Sequence, residues 1–167
     1  MPSKPESPPG VIRADLGNRL HADAYLSLLN AYAEEPVGAA APLPSEVKER
    51  LVPALSAHPG TQVLLVVHDE QFFAGFATCF TGFSTFRAKP LINIHDIYVK
   101  PELRGRGLAS RLIAAAETLA RERDCCKLIL EVRDDNPNAE RLYRRLGFGG
   151  VSSSEESVHY LFLEKTL

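Results

Sequence analysis

Residues 91–132 read LINIHDIYVKPELRGRGLASRLIAAAETLARERDCCKLILEV, and this stretch decides the fold. Leu91 to Val99, after Pro90, is rich in β-branched and aromatic residues and predicts a strand. From Gly107 to Arg123 the period changes. Leu108, Leu112, Ile113, Ala116, Leu119 and Ala120 recur at helical steps and make one apolar stripe. Cys126 to Val132 then returns to strand character. A strand, a helix and a strand of this length suit a right-handed crossover, which sets strands 91–99 and 126–132 parallel in one sheet. The architecture is therefore α/β.

Working outward, Val11 to Ala14 can form a short strand, and His21 to Glu35 carries Ala24, Leu28, Leu29 and Tyr32 at helical spacing until Glu35-Pro36 ends it. The Ala/Pro-rich run from Val37 to Pro44 is a loop. Ser45 opens a second helix with Val47, Leu51 and Leu55 on one face, stopped by Pro59-Gly60. Val63 to His68 and Phe72 to Phe83 flank Asp69-Glu70 as a hairpin. Beyond the crossover, Asn136 can cap a helix with Pro137 at its first position. Ala139, Leu142, Tyr143 and Leu146 face inward there, and Gly147 closes the end. Val158 to Leu163 reads as a last strand. Residues 1–10 hold Pro2, Pro5, Pro8 and Pro9 and read as a flexible tail, so residues 11–167 are expected to form a single domain.

Composition narrows the function. The 167 residues carry 19 Lys plus Arg against 21 Asp plus Glu, which leaves no global basic field for nucleic acid. No apolar run approaches the roughly 20 residues that span a bilayer, and MPSKPESPPG has no apolar core of a secretory signal. With three cysteines, two of them adjacent, a disulfide framework is not expected and a cytoplasmic location is. His21, His58, His68, His95 and His159 are scattered without ligand spacing, so no metal is expected.

Arg104-Gly105-Arg106-Gly107-Leu108-Ala109 sits between strand and helix, where glycines let backbone N–H groups converge on an anion at the helix N-terminus. A plain strand-to-helix turn is the alternative. The Walker string GxxxxGK[ST] is absent. The dinucleotide fingerprint GxGxxG is half met by Gly105, Gly107 and Ser110, with Glu131 near the place of a ribose-binding acid. Residues 100–104 separate that loop from its strand, however, and the helical first half offers no second nucleotide-binding unit.

Arg104-x-x-Gly107-x-Ala109 resembles the (Q/R)xxGx(G/A) signature of the GNAT N-acetyltransferases, and NPNAERLYRRLGF, residues 136–148, resembles that family's NxxAxxLYxxxGF segment. The resemblance covers residues 91–148. It implies a central mixed, twisted sheet of about six to seven strands flanked by about four helices, with a V-shaped opening between strands 91–99 and 126–132 that admits acetyl-coenzyme A. It implies that Arg104, Gly105, Arg106, Gly107, Leu108, Ala109 and Ser110 hold the pyrophosphate. The backbone of Ile97, Tyr98 and Val99 would meet the pantetheine arm, with Asn136, Ala139 and Tyr143 also at the coenzyme. The habit of the fold adds a homodimer. A non-catalytic acyl-coenzyme A sensor on the same fold is the rival reading.

Acetyl transfer to an amine sets three tasks: deprotonating the amine, stabilising the carbonyl oxygen and protonating the thiolate. Tyr143 stands where the family keeps its general acid, though its place on the inner stripe also suits packing. An alkylammonium of pKa about 10 lies roughly 4 kcal/mol from its neutral form at pH 7, so a proton acceptor matters. His95 and Asp96 are the candidates, directly or through water. The acetyltransferases of spermidine and related diamines, which this stretch resembles, carry Glu-Asp here, so His95 replaces the glutamate. Strict alternation turns only one of the two toward the acceptor, and a bulge could change which. Cys79, Cys125 and Cys126 read as small core residues. The acceptor is a small-molecule or peptide amine, expected against helices 21–35 and 45–58 and residues 81–90.

Overall fold

The computed structural model describes residues 10–69, 72–149 and 165, which fall into two compact units divided between Arg133 and Asp134. In the first unit the order is β1 (Val11–Arg13), α1 (Arg19–Glu34), α2 (Ser45–Ala57), β2 (Thr61–Asp69), β3 (Phe72–Ser84), β4 (Lys89–Val99), a 3-10 turn (Pro101–Leu103), α3 (Leu108–Glu122) and β5 (Leu128–Leu130). The second unit holds α4 (Pro137–Arg145).

Local chemistry sets the boundaries. The Asn18 side chain accepts the Leu20 N–H at 2.9 Å to start α1. Glu35, forced into extended geometry before Pro36, ends it. The sheet runs β1-β2-β3-β4-β5, antiparallel until β4 and β5, which pair in parallel at Ile92↔Leu128, Asn93↔Ile129 and Ile94↔Leu130. The crossover expected from residues 91–132 is present. β5 is shorter than its sequence run. Cys126 N–H already reaches the Pro90 carbonyl at 2.8 Å, but Glu131 and Val132 stand exposed beyond the last pair. Five strands and four α-helices are present among the described residues, fewer strands than the six to seven expected; Val158–Leu163 lies outside them.

Both faces of the sheet are covered. Tyr25 and Leu28 of α1 pack on Val63, Leu65, Phe73, Phe76 and Tyr98, with Leu51 and Leu55 of α2 at the margin. α3 lies on β2, β3 and β4 and buries Leu112, Ile113, Ala116, Leu119 and Ala120 of the stripe read from its spacing; Ala115 joins them, while Leu108, at the first turn, is only half-buried. A fully buried Leu or Ile contributes about 1.5–3 kcal/mol, so this helix is a principal clamp on the sheet. No helix among the described residues is long and apolar enough to cross a membrane.

Candidate active site

The middle of β4 breaks the regular ladder. Thr78 pairs with Asp96 and its neighbour Cys79 pairs with Ile94, so His95 is an extra residue opposite β3, a β-bulge. The last parallel pair with β5, Ile94↔Leu130, falls immediately before it. The imidazole of His95 lies 5.4 Å from the Phe80 ring, and the Asp96 carboxyl hydrogen-bonds the Thr78 hydroxyl. Thr78 and Phe80 are two apart on β3 and share a face. The bulge therefore turns both His95 and Asp96 to the α1 side of the sheet, where regular alternation allows only one.

That side is aromatic, with His95 exposed, Asp96 half-buried and the groups beneath them buried. Tyr25 and Thr78 are each 1% exposed, and their hydroxyl oxygens are 3.0 Å apart. Burial pushes the Tyr25 hydroxyl up to about 12. Burial also raises the Asp96 carboxyl above its ordinary range, opposed by the charge of His95 and the Thr78 hydrogen bond. Tyr32 sits over Phe76 and Tyr98, its own hydroxyl raised by burial and by Asp96. Reading the sequence missed Tyr25 and Thr78. The signal was there in part: Thr78 is the polar interruption of the apolar run Phe72 to Phe80, and Tyr25 precedes Leu28 by three on the helix stripe.

Below β4, the 3-10 turn buries Leu103 and delivers the glycine loop. Gly105 and Gly107 take φ of 75° and 76°, left-handed values that favour glycine, and Gly107 caps α3 without a side-chain hydrogen bond. The first helical bond runs from Arg111 N–H to the Gly107 carbonyl at 3.1 Å, so the N–H groups of Leu108, Ala109 and Ser110 precede the ladder. A Cβ at Gly105 or Gly107 would meet nothing within 4 Å. Space for an oxyanion is open in front of donors at the positive end of a helix dipole, which fits a pyrophosphate. Arg104 is engaged elsewhere: its Nε donates to the Val99 carbonyl at 2.9 Å and its guanidinium pairs with Glu35 at 2.5 Å. Arg106 is exposed.

On the proposed acceptor side, Phe83 and Phe86 are exposed, whereas Lys89 is held by both oxygens of Asp124 at 2.9 Å. Glu155 and Glu156 lie outside the described residues. Cys79 is buried, its thiol pushed up to about 12 by desolvation, and Cys125 is raised the same way, so neither is poised as a thiolate nucleophile.

Within the second unit, the Asn136 side chain accepts the Ala139 N–H at 3.3 Å, with Pro137 at the first helical position. The other end explains the LYRRLGF spacing. Gly147, at φ 91°, directs its N–H to the Arg144 carbonyl at 3.1 Å, and Phe148 N–H returns to the Tyr143 carbonyl at 3.0 Å. This is a Schellman stop, closed by the edge-on contact of the Tyr143 and Phe148 rings at 6.0 Å. Packing thus accounts for the buried ring of Tyr143.

The chain matches the acetyltransferase (GNAT) family over residues 16–148. It is 36% identical over 81 residues to a thialysine N-epsilon-acetyltransferase of Bos taurus, covering 48% of this chain and 47% of that protein. The chain thus spans about half the length of the curated relatives it matches first. Among solved structures, a probable acetyltransferase superposes with a TM-score of 0.75 at 22% identity, covering 92% of this chain and 99% of the other. An aminoglycoside N-acetyltransferase in complex with CoA superposes with a TM-score of 0.70 at 18% identity, over 93% of each chain. With a bulged β4, a glycine-led α3 and a family match running from residue 16 to residue 148, the chain belongs to the GNAT family of acetyltransferases.

Proposed function

We propose that this chain is an acetyl-coenzyme A-dependent N-acetyltransferase acting on a primary amine by direct attack in a ternary complex. The observation that carries the reading is the β4 bulge, which sets an imidazole and a carboxylate side by side on one face of the sheet. Acetyl-coenzyme A supplies an acetyl group activated as a thioester.

The chain's own residues do the rest. The backbone of Gly105, Arg106 and Gly107, with the leading N–H groups of Leu108, Ala109 and Ser110, receives the pyrophosphate, and Arg106 adds exposed positive charge. Arg104 holds this loop to Val99 and Glu35. The end of β4–β5 pairing at Ile94 and Leu130 supports pairing of the pantetheine arm with the backbone of Ile97, Tyr98 and Val99, one of whose N–H groups polarises the thioester carbonyl. Asn136 and Ala139 at the start of α4 contact the arm. His95 or Asp96, directly or through water, takes the amine proton, and Tyr143 gives a proton to the departing sulfur. The acidic and aromatic surroundings of Asp96, with Tyr25, Tyr32 and Glu35, favour a cationic acceptor such as a diamine over an acidic one.

A homodimer belongs to this reading, supported by Phe83 and Phe86 exposed on the β3–β4 hairpin. A cytoplasmic location accords with free Cys79, Cys125 and Cys126. Calorimetry tests the coenzyme. Acetyl-coenzyme A is expected to bind and NAD not to, and Gly107→Asp, which puts a carboxylate into the open cradle, is expected to cost well over tenfold in affinity by losing charge-assisted contacts of about 1.5–3 kcal/mol. Unchanged affinity in the folded variant overturns the cradle.

A further inference from the structure

We infer that the Tyr25 and Thr78 hydroxyls form a positioning chain for Asp96, running from α1 through β3 and keeping the β4 carboxylate ionised and fixed for the acceptor amine. This assignment rests on the acetyl-transfer reading above and deepens it.

The geometry is specific. Thr78 is cross-strand partner to Asp96 at the bulge and bonds its carboxyl, while Tyr25 of α1 reaches the Thr78 oxygen at 3.0 Å. Both hydroxyl residues are almost fully buried, Tyr25 in the cluster of Phe76, Val63 and Leu65 and Thr78 opposite Val63 on β2, where a Phe and a Val would pack as well. An ionised carboxylate only accepts, so Thr78 must donate to Asp96, and the Thr78 lone pair is left for the Tyr25 proton. Tyr25, pushed up to about 12, keeps that proton at neutral pH. The chain therefore has one direction while Asp96 is charged: Tyr25 to Thr78 to Asp96. Each donor in turn strengthens the next and favours the charged carboxylate against the burial that opposes it.

Other groups act on the same cluster. Among the described residues they are His95 beside Asp96 on β4, Tyr32 and Glu35 at the end of α1, Cys79 on β3, and the charges of Arg123 and Arg133. His95 favours the ionised carboxyl as the hydroxyl chain does. The test must therefore change the chain alone.

Thr78→Val removes the hydroxyl at constant shape, Thr78→Ser retains it, and Tyr25→Phe keeps the ring and its edge-on contact with Phe76. Two readouts follow: the carboxyl carbon-13 titration of Asp-labelled protein, with Asp96 assigned by its loss in Asp96→Asn, and the pH profile of kcat/KM on the best amine. Thr78→Val should move the Asp96 titration and the acidic limb upward together by about one pH unit, a tenfold loss of kcat/KM below the limb. Tyr25→Phe should move both less in the same direction, and Thr78→Ser should follow the parent. An Asp96 titration that stays put or moves down in folded Thr78→Val overturns the chain. Should Thr78→Val not fold, Tyr25→Phe carries the same test. The carboxyl titration needs no turnover, so a parent that acetylates no amine overturns the transfer reading instead.

Discussion

Tyr143 is where packing and chemistry separate at one atom. Its ring closes the Schellman stop of α4 against Phe148, and Tyr143→Phe keeps that ring and its contact. Loss of the proposed proton donor should lower kcat by roughly 10²–10⁴ with little change in coenzyme affinity, because that interaction develops only toward the transition state. Turnover within twofold of the parent across pH 6–9 would remove Tyr143 from the chemistry. Asp96 shows the opposite balance. Burial holds its folded pKa above the unfolded value, so its carboxyl stabilises the fold while protonated and that contribution is lost as pH rises through the folded pKa. Asp96→Asn cannot ionise and should be more thermostable than the parent at pH 7, with the advantage shrinking toward about pH 4, the range of an ordinary carboxylate. Thermal melts at the two pH values check this, and a variant no more stable at pH 7 contradicts it. His95 and Asp96 were legible in the sequence as the polar pair in an apolar strand. Their shared face was not, because a bulge is a property of the pairing with Thr78 and Cys79 on another strand.

The elements were read best where one period dominates. α3 carries six buried residues at helical spacing, and its cap follows from Gly107, so both stripe and start are visible in residues 107–123. β5 was read too long, since Glu131 and Val132 continue a strand-like run in sequence while the pairing that defines a strand stops at Leu130. The junction of β3 with the end of β4 is the element-scale feature that sequence concealed. Gly75 pairs with Val99, and a Cβ there would press into the Tyr98 carbonyl and sit 3.0 Å from the Val99 Cα. Gly75→Ala should therefore cost about 1–3 kcal/mol as an overpacked contact. It should also weaken acetyl-coenzyme A binding, because the displaced backbone is the Tyr98–Val99 segment proposed for the pantetheine arm. Denaturant melts and calorimetry on one preparation check both, and a variant with unchanged stability contradicts the close approach.

At the scale of the whole molecule, a parallel crossover appended to an antiparallel run gives the sheet order β1-β2-β3-β4-β5, and the bulge follows the last parallel pair directly. The order of elements could be read because α1 and α3 carry apolar residues at helical spacing, while the hairpin strands are continuous β-rich runs, buried on both faces and separated by turn residues. The hydroxyl network across α1, β3 and β4 could not, because Tyr25 and Asp96 lie seventy-one positions apart and meet only through tertiary packing. Coenzyme binding alone would suit a sensor as well as an enzyme, so the most direct measurement is turnover. The purified chain is incubated with acetyl-coenzyme A and a panel of diamines, amino acids, aminoglycosides and peptides, and free thiol is read with the mass of the product. The account predicts amine-dependent thiol release with one acetyl group on the acceptor; tight acetyl-coenzyme A binding without thiol release on any amine would contradict it.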